Sequence, residues 1–156
     1  MPKSSKQLLN ELQQQQDFQA REEEAVVALL RTVDHIRRAT SSVLEAYQIT
    51  LQQYNVLRIL RGAGEDGLPI LEIGKRMVEQ SPGITRLIDR LEGKELIARE
   101  RSRSDRRQIN VTITQKGLAL LEKMDKPVRD TDRKLMENLS GRDIEKLISL
   151  LDAIRS

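Results

Sequence analysis

Residues 96–117 read Leu-Ile-Ala-Arg-Glu-Arg-Ser-Arg-Ser-Asp-Arg-Arg-Gln-Ile-Asn-Val-Thr-Ile-Thr-Gln-Lys-Gly. From Gln108 to Ile113 apolar and polar residues alternate, with Ile109, Val111 and Ile113 on one face and Gln108, Asn110 and Thr112 on the other. That period of two marks a half-buried strand. Ile97 to Arg101 supplies a shorter antiparallel partner. Between them, Ser102 to Arg106 is a polar turn whose Ser and Asp side chains can bond their own backbone. The product is a two-stranded hairpin with a basic tip. Residues 99–107 hold five Arg against Glu100 and Asp105, a net of +3 that equals the net charge of the whole chain. Taken alone, such a tip is also what a solvated turn looks like, so its neighbours must decide.

The bulk composition narrows the choices. A chain of 156 residues suffices for one domain with a real core. Aromatics make up 2% and charged residues 33%, so the interior must be aliphatic. Few aromatics also argue against single-stranded nucleic acid, which stacks its bases on such side chains. The absence of Cys excludes disulfides, zinc–thiolate sites and thiol redox sensing. One His and no glycine-rich phosphate loop leave no nucleophile–base pair and no metal cluster, so neither an enzyme nor a cofactor is expected. No apolar run resembles a signal peptide or reaches membrane-spanning length, which predicts a cytoplasmic location and no membrane partner.

Going along the chain, residues 1–16 read as a mobile N-terminal arm that orders only against a neighbour, with Leu8, Leu9 and Leu12 as a short apolar edge after Ser4 or Ser5. Residues 17–48 read as one long helix, with apolar steps at Val26, Leu29, Leu30, Val33, Ile36, Val43, Leu44 and Tyr47. About 30 residues at roughly 1.5 Å each is about 45 Å, more than one small core can cover. A second copy of the chain is the simplest partner for its stripe. Thr50 begins the next helix in a capping-box arrangement with Gln53. Leu51, Tyr54, Val56, Leu57 and Leu60 form its inner side, and Gly62, Gly64 and Gly67 end it. A short helix then spans residues 70–78, with Ile70, Leu71, Ile73 and Met77 inward and Gly74 suggesting a close helix crossing. Ser81 as N-cap and Pro82 as first residue open the following helix, which runs to Gly93. It buries Ile84, Leu87, Ile88 and Leu91 and shows Thr85, Arg86, Asp89 and Arg90. Two short helices joined by a tight turn describe a helix-turn-helix over 70–93. After the hairpin, Thr114 caps a helix that Pro127 is expected to kink or break. Ser140 caps a last helix with Ile144, Leu147, Ile148, Leu151 and Ile154 on its inner side.

A helix-turn-helix followed directly by a basic hairpin is a winged helix-turn-helix. The chain resembles the MarR family of bacterial transcription regulators, and two motifs carry the resemblance. One is the wing pattern Asp105-Arg106-Arg107, Val111, Ile113-Thr114 and Gly117. The other is the recognition-helix pattern Ile84-Thr85-Arg86-Leu87-Ile88-Asp89-Arg90-Leu91-Glu92. The similarity extends from about residue 24 to the C-terminus. This chain departs from the family at Glu95, where members often carry Gly, and Gly93 is the candidate to take over that turn. It departs also at Pro82 and Gly83, where hydroxyl residues are common.

The implied fold is mainly α with a small β wing: a winged helix-turn-helix over 50–117, with the wing at 97–113, flanked by dimerisation helices at 17–48 and 118–156. The implied activity is sequence-specific binding of a palindromic operator in double-stranded DNA by a homodimer, most simply as a repressor. In such proteins the second helix of the motif enters the major groove. That nominates Thr85, Arg86 and Arg90, with Gln80 and Ser81 near the backbone. The bland alternative pairs Arg86 or Arg90 with Asp89 or Glu92 on a solvated face. At the wing, Arg103, Ser104, Arg106 and Arg107 are the candidate contacts. Asp105, repelled by phosphates, would instead hold Arg107 or the turn in place, and Arg99 and Arg101 would only solvate the strand or meet the backbone. Val26, Leu29, Val33, Ile144, Leu147, Ile148 and Leu151 are the candidate dimer contacts. The resemblance further implies a small aromatic or phenolic acid as effector, with His35, Arg38, Tyr47 and Tyr54 as candidate lining, although an exposed helix histidine is the simpler reading of His35. The rival to the whole scheme is a winged-helix protein-interaction module without a DNA role.

Overall fold

The computed structural model describes residues 5–79, 82–102, 105 and 107–156. Contacts divide the chain into a unit that ends at Ala39 and a unit that begins at Thr40. In the first, a short helix, α1 (Lys6–Glu11), precedes most of a long one, α2 (Arg21–Glu45). Ser5 caps α1 by accepting the Leu8 N–H, and its own N–H donates to the Glu24 carboxylate. Arg31 pairs with Glu11 at 3.5 Å, and Leu8 is buried. The expectation of an arm that orders only against a neighbour is therefore corrected: these residues have partners within their own chain. The long helix starts at Arg21 rather than Asp17, with Glu22, Glu23 and Glu24 in its first turn, where carboxylates favour the positive end of the dipole.

The second unit holds the core. It comprises the end of α2, α3 (Leu51–Ala63), α4 (Ile70–Arg76), α5 (Ile84–Gly93), the strands β1 (Ile97–Arg101) and β2 (Ile109–Ile113), α6 (Gln115–Leu135) and α7 (Gly141–Arg155). Leu44, Leu57, Leu60, Ile73, Ile88, Leu91, Ile97, Val111, Leu121 and Met124 pack together, all fully buried. The capping box of Thr50 and Gln53 forms as expected, and Ser140, expected as a cap, forms a second box with Asp143. Among the inward residues expected on α4, Leu71 is instead 76% exposed. A helix of two turns has one inner face, and Ile70, Ile73 and Met77 occupy it at three- and four-residue steps. Gly74 needs no close crossing either, because a methyl there would meet Ile84 at an ordinary 3.9 Å.

Helix α5 begins at Ile84, with Gly83 as N-cap and no side-chain cap. Pro82 sits in the turn before it, so the expected start at Ser81-Pro82 is displaced by two residues, and Ser81 lies outside the described residues. Its exit is a Schellman turn. The Leu96 N–H reaches the Leu91 carbonyl at 3.1 Å and the Glu95 N–H reaches the Glu92 carbonyl at 2.8 Å, with Leu91 and Leu96 both buried. Glu95 takes the left-handed position at φ 60°. The turn is therefore made by Glu95 itself and not by Gly93, which lies inside the helix. The same motif closes α2, where Gln48 is left-handed at φ 56° and Ile49 N–H bonds the Leu44 carbonyl at 3.3 Å.

Strands β1 and β2 pair antiparallel, Ile97 opposite Ile113 and Arg101 opposite Ile109. Leu68 adds a one-residue third rung through two backbone bonds to Val111, at 3.0 and 2.8 Å. Gly67 makes that approach possible, since a side chain on it would lie 2.1 Å from the Val111 carbonyl oxygen. The alternation along β2 fails at its outer end. Ile109 is 60% exposed while Asn110 is buried. The hairpin runs out past the core there, and the Asn110 amide instead donates to the Asp66 carbonyl at 2.8 Å and accepts from Gln108 at 2.9 Å.

Helix α6 is capped by Thr114, as expected, and passes through Pro127 without breaking. Proline at 127 cannot donate to the carbonyl four residues back, that of Lys123. The Tyr47 hydroxyl donates to this carbonyl at 3.2 Å, so the orphaned acceptor is satisfied from outside the helix. Helix α7 has no buried residue within the chain, and Ile148, Leu150 and Ile154 are 54–65% exposed. The apolar stripe of Ile144, Leu147, Ile148, Leu151 and Ile154, expected to pair with a second copy, is thus left without a buried residue in the single chain. No described helix is long and apolar enough to cross a membrane.

Candidate nucleic-acid interface

Two adjoining elements build the site. Helix α5 turns Leu87, Ile88 and Leu91 into the core, which leaves Thr85, Arg86, Asp89 and Arg90 exposed on the other side. Its Schellman exit then feeds β1 directly, so the helix and the wing are tied by a turn with fixed backbone bonds. Among the described residues, neither Arg86 nor Arg90 is paired with a carboxylate. The bland alternative for them fails because Asp89 and Glu92 are both taken by Arg99, reaching across from β1. The Arg99 side chain is 27% exposed, and the hydrogen bond it donates to the Asp89 carboxylate is the leading cause of its raised pKa.

Arg99 was expected only to solvate the strand or meet the backbone, and it instead pairs with Asp89 and Glu92. The signal was present in the sequence as two carboxylates three residues apart near the C-terminal end of a helix, where the dipole disfavours them. Which cation would neutralise them depended on the turn at Glu95, which the sequence pattern misassigned.

At the tip, the Asp105 carboxylate accepts the Arg107 N–H at 2.9 Å, and the Asp105 carbonyl accepts the Gln108 N–H at 2.9 Å. The buried Ser102 hydroxyl accepts the Asp105 N–H at 3.3 Å, and Ser102 N–H bonds the Gln108 carbonyl at 2.9 Å. Asp105 thus organises the turn through backbone donors, and Arg107 is exposed beside it. Gln80, Ser81, Arg103, Ser104 and Arg106 lie outside the described residues. Towards its tip the wing is held by Asn110, and its inner end by Gly117, whose missing side chain lets α6 approach the Leu96 carbonyl; a Cβ there would lie 2.2 Å from that oxygen.

The four candidate effector residues do not share one cavity. His35 and Arg38 line a depression of about 410 Å³ in the first unit, beside Gln7, Glu11 and Arg31. Tyr54 lines another of about 370 Å³ between α3 and α6, with Arg58, Arg61, Asp125, Val128 and Arg129. Tyr47 is engaged with the Lys123 carbonyl. In the second cavity Arg58 lies 5.7 Å from the centre of the Tyr54 ring, a cation–π distance, and donates to its hydroxyl at 3.0 Å. Arg61 forks onto Asp125 at 2.7 and 3.1 Å, and its hydrogen bonds hold the Asp125 carboxyl below the usual carboxylate range. Among the described residues no cluster of His, Asp or Glu could hold a metal ion.

This geometry has close counterparts. Residues 49–109, from the start of α3 through the wing, match the model of the MarR family. The HTH-type transcriptional regulator TtmR of Methylorubrum extorquens (strain PA1) is 35% identical over 140 residues, covering 90% of this chain and 68% of that protein. A MarR transcription factor from Planctomyces limnophilus is 34% identical, with a TM-score of 0.66 over 87% of this chain and 98% of that one. MepR of S. aureus, solved in complex with DNA, is 27% identical, with a TM-score of 0.71 over 81% of this chain and 91% of that one. By its motif, its winged helix-turn-helix and these relatives, the chain belongs to the MarR family of DNA-binding transcription regulators.

Proposed function

We propose that this regulator is a repressor that binds a palindromic operator as a homodimer, with α5 in the major groove and the wing at the adjacent minor groove or its phosphates. The observation that carries the reading is the exposed row of Thr85, Arg86 and Arg90 beside the wing, with no carboxylate among the described residues pairing either arginine. Arginine can grip guanine through two bonds, discriminating against other bases by about 1–3 kcal/mol. Narrow minor grooves attract arginine, which suits Arg107 and the wing residues 103 and 106.

The dimer is supported by unpartnered apolar surface on two helices. Val26, Leu30 and Val33 of α2 are 41–66% exposed, and α7 buries nothing within the chain. With two copies related by a two-fold axis, half-sites would fall about one helical turn apart, roughly 34 Å. The cavity between α3 and α6 suits a small aromatic acid as effector: the Tyr54 ring and Val128 offer apolar surface, and Arg58 and Arg129 offer charge to a carboxylate. MepR supports the DNA partner directly, as it was solved on DNA.

The test is an anisotropy titration of the duplex that the protein enriches from a random pool, beside an unrelated duplex of equal length. Arg86→Ala and Arg107→Ala should each weaken specific binding roughly tenfold or more. Binding should also fall steeply with salt as phosphate contacts release counterions. A folded Arg107→Ala protein of unchanged affinity would sink the assignment of the wing, and a flat salt response would count against the DNA-bound arrangement as a whole.

A further inference from the structure

We infer that Arg99 is a positioning residue for DNA recognition, acting by occupying Asp89 and Glu92 so that Arg86 and Arg90 stay free for the groove. This rests on the DNA-binding reading above and assigns a role within it. Asp89 lies three residues after Arg86 on one face of α5, within ordinary pairing reach. It is 56% exposed as a side chain, so little but its existing partner keeps it from turning to Arg86. Glu92 stands a further three residues on, and two like charges at that spacing disfavour each other. Both would also face the phosphates as uncompensated negative charge. A single guanidinium answers both, because its planar fork presents separate N–H groups to two acceptors. In this chain one nitrogen of Arg99 serves Asp89 and the other serves Glu92. Arg99 reaches them from β1, the strand that leaves the Glu95 turn. It therefore links wing and recognition helix as well as silencing the two acidic side chains of α5.

Holding the wing in place and silencing the carboxylates make different predictions, and neutral isosteres separate them. If Arg99 only braced the wing, replacing Asp89 and Glu92 with amides would not repair its loss. If it silences them, the amides would.

The experiment is a mutant cycle on the full chain: wild type, Arg99→Gln, Asp89→Asn with Glu92→Gln, and the triple variant. Each is titrated by anisotropy against the duplex enriched from a random pool and against an unrelated duplex, at one salt concentration. Arg99→Gln should lose roughly tenfold of its specific affinity, a coupling of the size contacting charged groups show. The two amides should restore most of that loss in the Arg99→Gln protein, yet change wild-type affinity by less than about threefold. Equal gains in the two backgrounds, or an Arg99→Gln protein that binds like wild type, would overturn the inference. Should Arg99→Gln fail to fold by circular dichroism, Arg99→Lys enters the same cycle. It keeps the charge and the stem but not the fork, so a smaller coupling of about threefold is expected and none would overturn the proposal. Failure of the wild type to enrich any duplex is a separate outcome: it overturns the DNA-binding reading, and this inference with it.

Discussion

Replacing Tyr47 by Phe removes one hydroxyl, and its effect should depend on a residue eighty positions away by number and adjacent in space. Pro127 leaves the Lys123 carbonyl without its helical donor, and the Tyr47 hydroxyl fills the gap at 3.2 Å. A hydrogen bond of this kind contributes a net of about 0.5–1.5 kcal/mol. Tyr47 is half-buried, so water can partly replace it, and the lower half of that range applies. Tyr47→Phe should therefore destabilise the protein by about 0.5–1 kcal/mol. In a Pro127→Ala background the Ala N–H supplies the missing donor, and the same substitution should cost close to nothing. Pro127→Ala alone should be stabilising: an interior Pro costs about 3 kcal/mol in a helix, less about 0.4–1 kcal/mol for the stiffer unfolded chain and whatever the present contacts already recover. The measurement is urea unfolding of the four proteins at one protein concentration, since self-association would shift the midpoints. An unchanged slope with a shifted midpoint identifies a stability effect. Equal costs for Tyr47→Phe in both backgrounds, or none in the parent, would refute the reasoning, because the hydroxyl would then not be serving the carbonyl that Pro127 orphans.

Gly117→Ala should destabilise by about 1–3 kcal/mol despite the better helix propensity of Ala, because the new methyl would press on the Leu96 carbonyl. Gly141→Ala, where nothing lies within 4 Å, should stay within about 0.5 kcal/mol of the parent, and thermal melts of the pair check the contrast. Gln48→Gly should raise stability by roughly 0.5 kcal/mol, relief of left-handed strain exceeding the added freedom of the unfolded chain; a lower urea midpoint would contradict it. The Asp125 carboxyl is depressed in the fold by Arg61, so its contribution is fully present above the unfolded value of about 3.9 and is lost as pH falls through the folded one. The stability difference between wild type and Asp125→Asn should accordingly shrink below about pH 4, and a constant difference from pH 7 to pH 3 would exclude that pair as its source.

Most of the architecture was legible because it is written locally. The capping boxes at Thr50 and Ser140, the Thr114 cap, the three- and four-residue apolar steps of α3 and α5 and the basic hairpin each need only a few adjacent residues. The exposed faces of Thr85, Arg86 and Arg90 follow from the same periodicity. What escaped the sequence reading was decided by partners distant along the chain. Period two implied a buried Ile109, but the hairpin leaves the core before that residue, and Asn110 finds a carbonyl at Asp66 instead. Pro127 promised a break, yet the lost bond was recovered by a tyrosine from another helix. The left-handed turn went to Glu95 because two backbone bonds and the Leu91–Leu96 contact outweigh the preference for glycine. That turn in turn brought Arg99 to Asp89 and Glu92. Sequence alone thus determined the order of the main helices and strands and the outward face of α5, since caps and periodicity act over one or two turns. Tertiary structure alone decided which charges are neutralised and which, among the described residues, are left without a carboxylate, since a carboxylate's partner is set by three-dimensional distance and not by spacing along the chain.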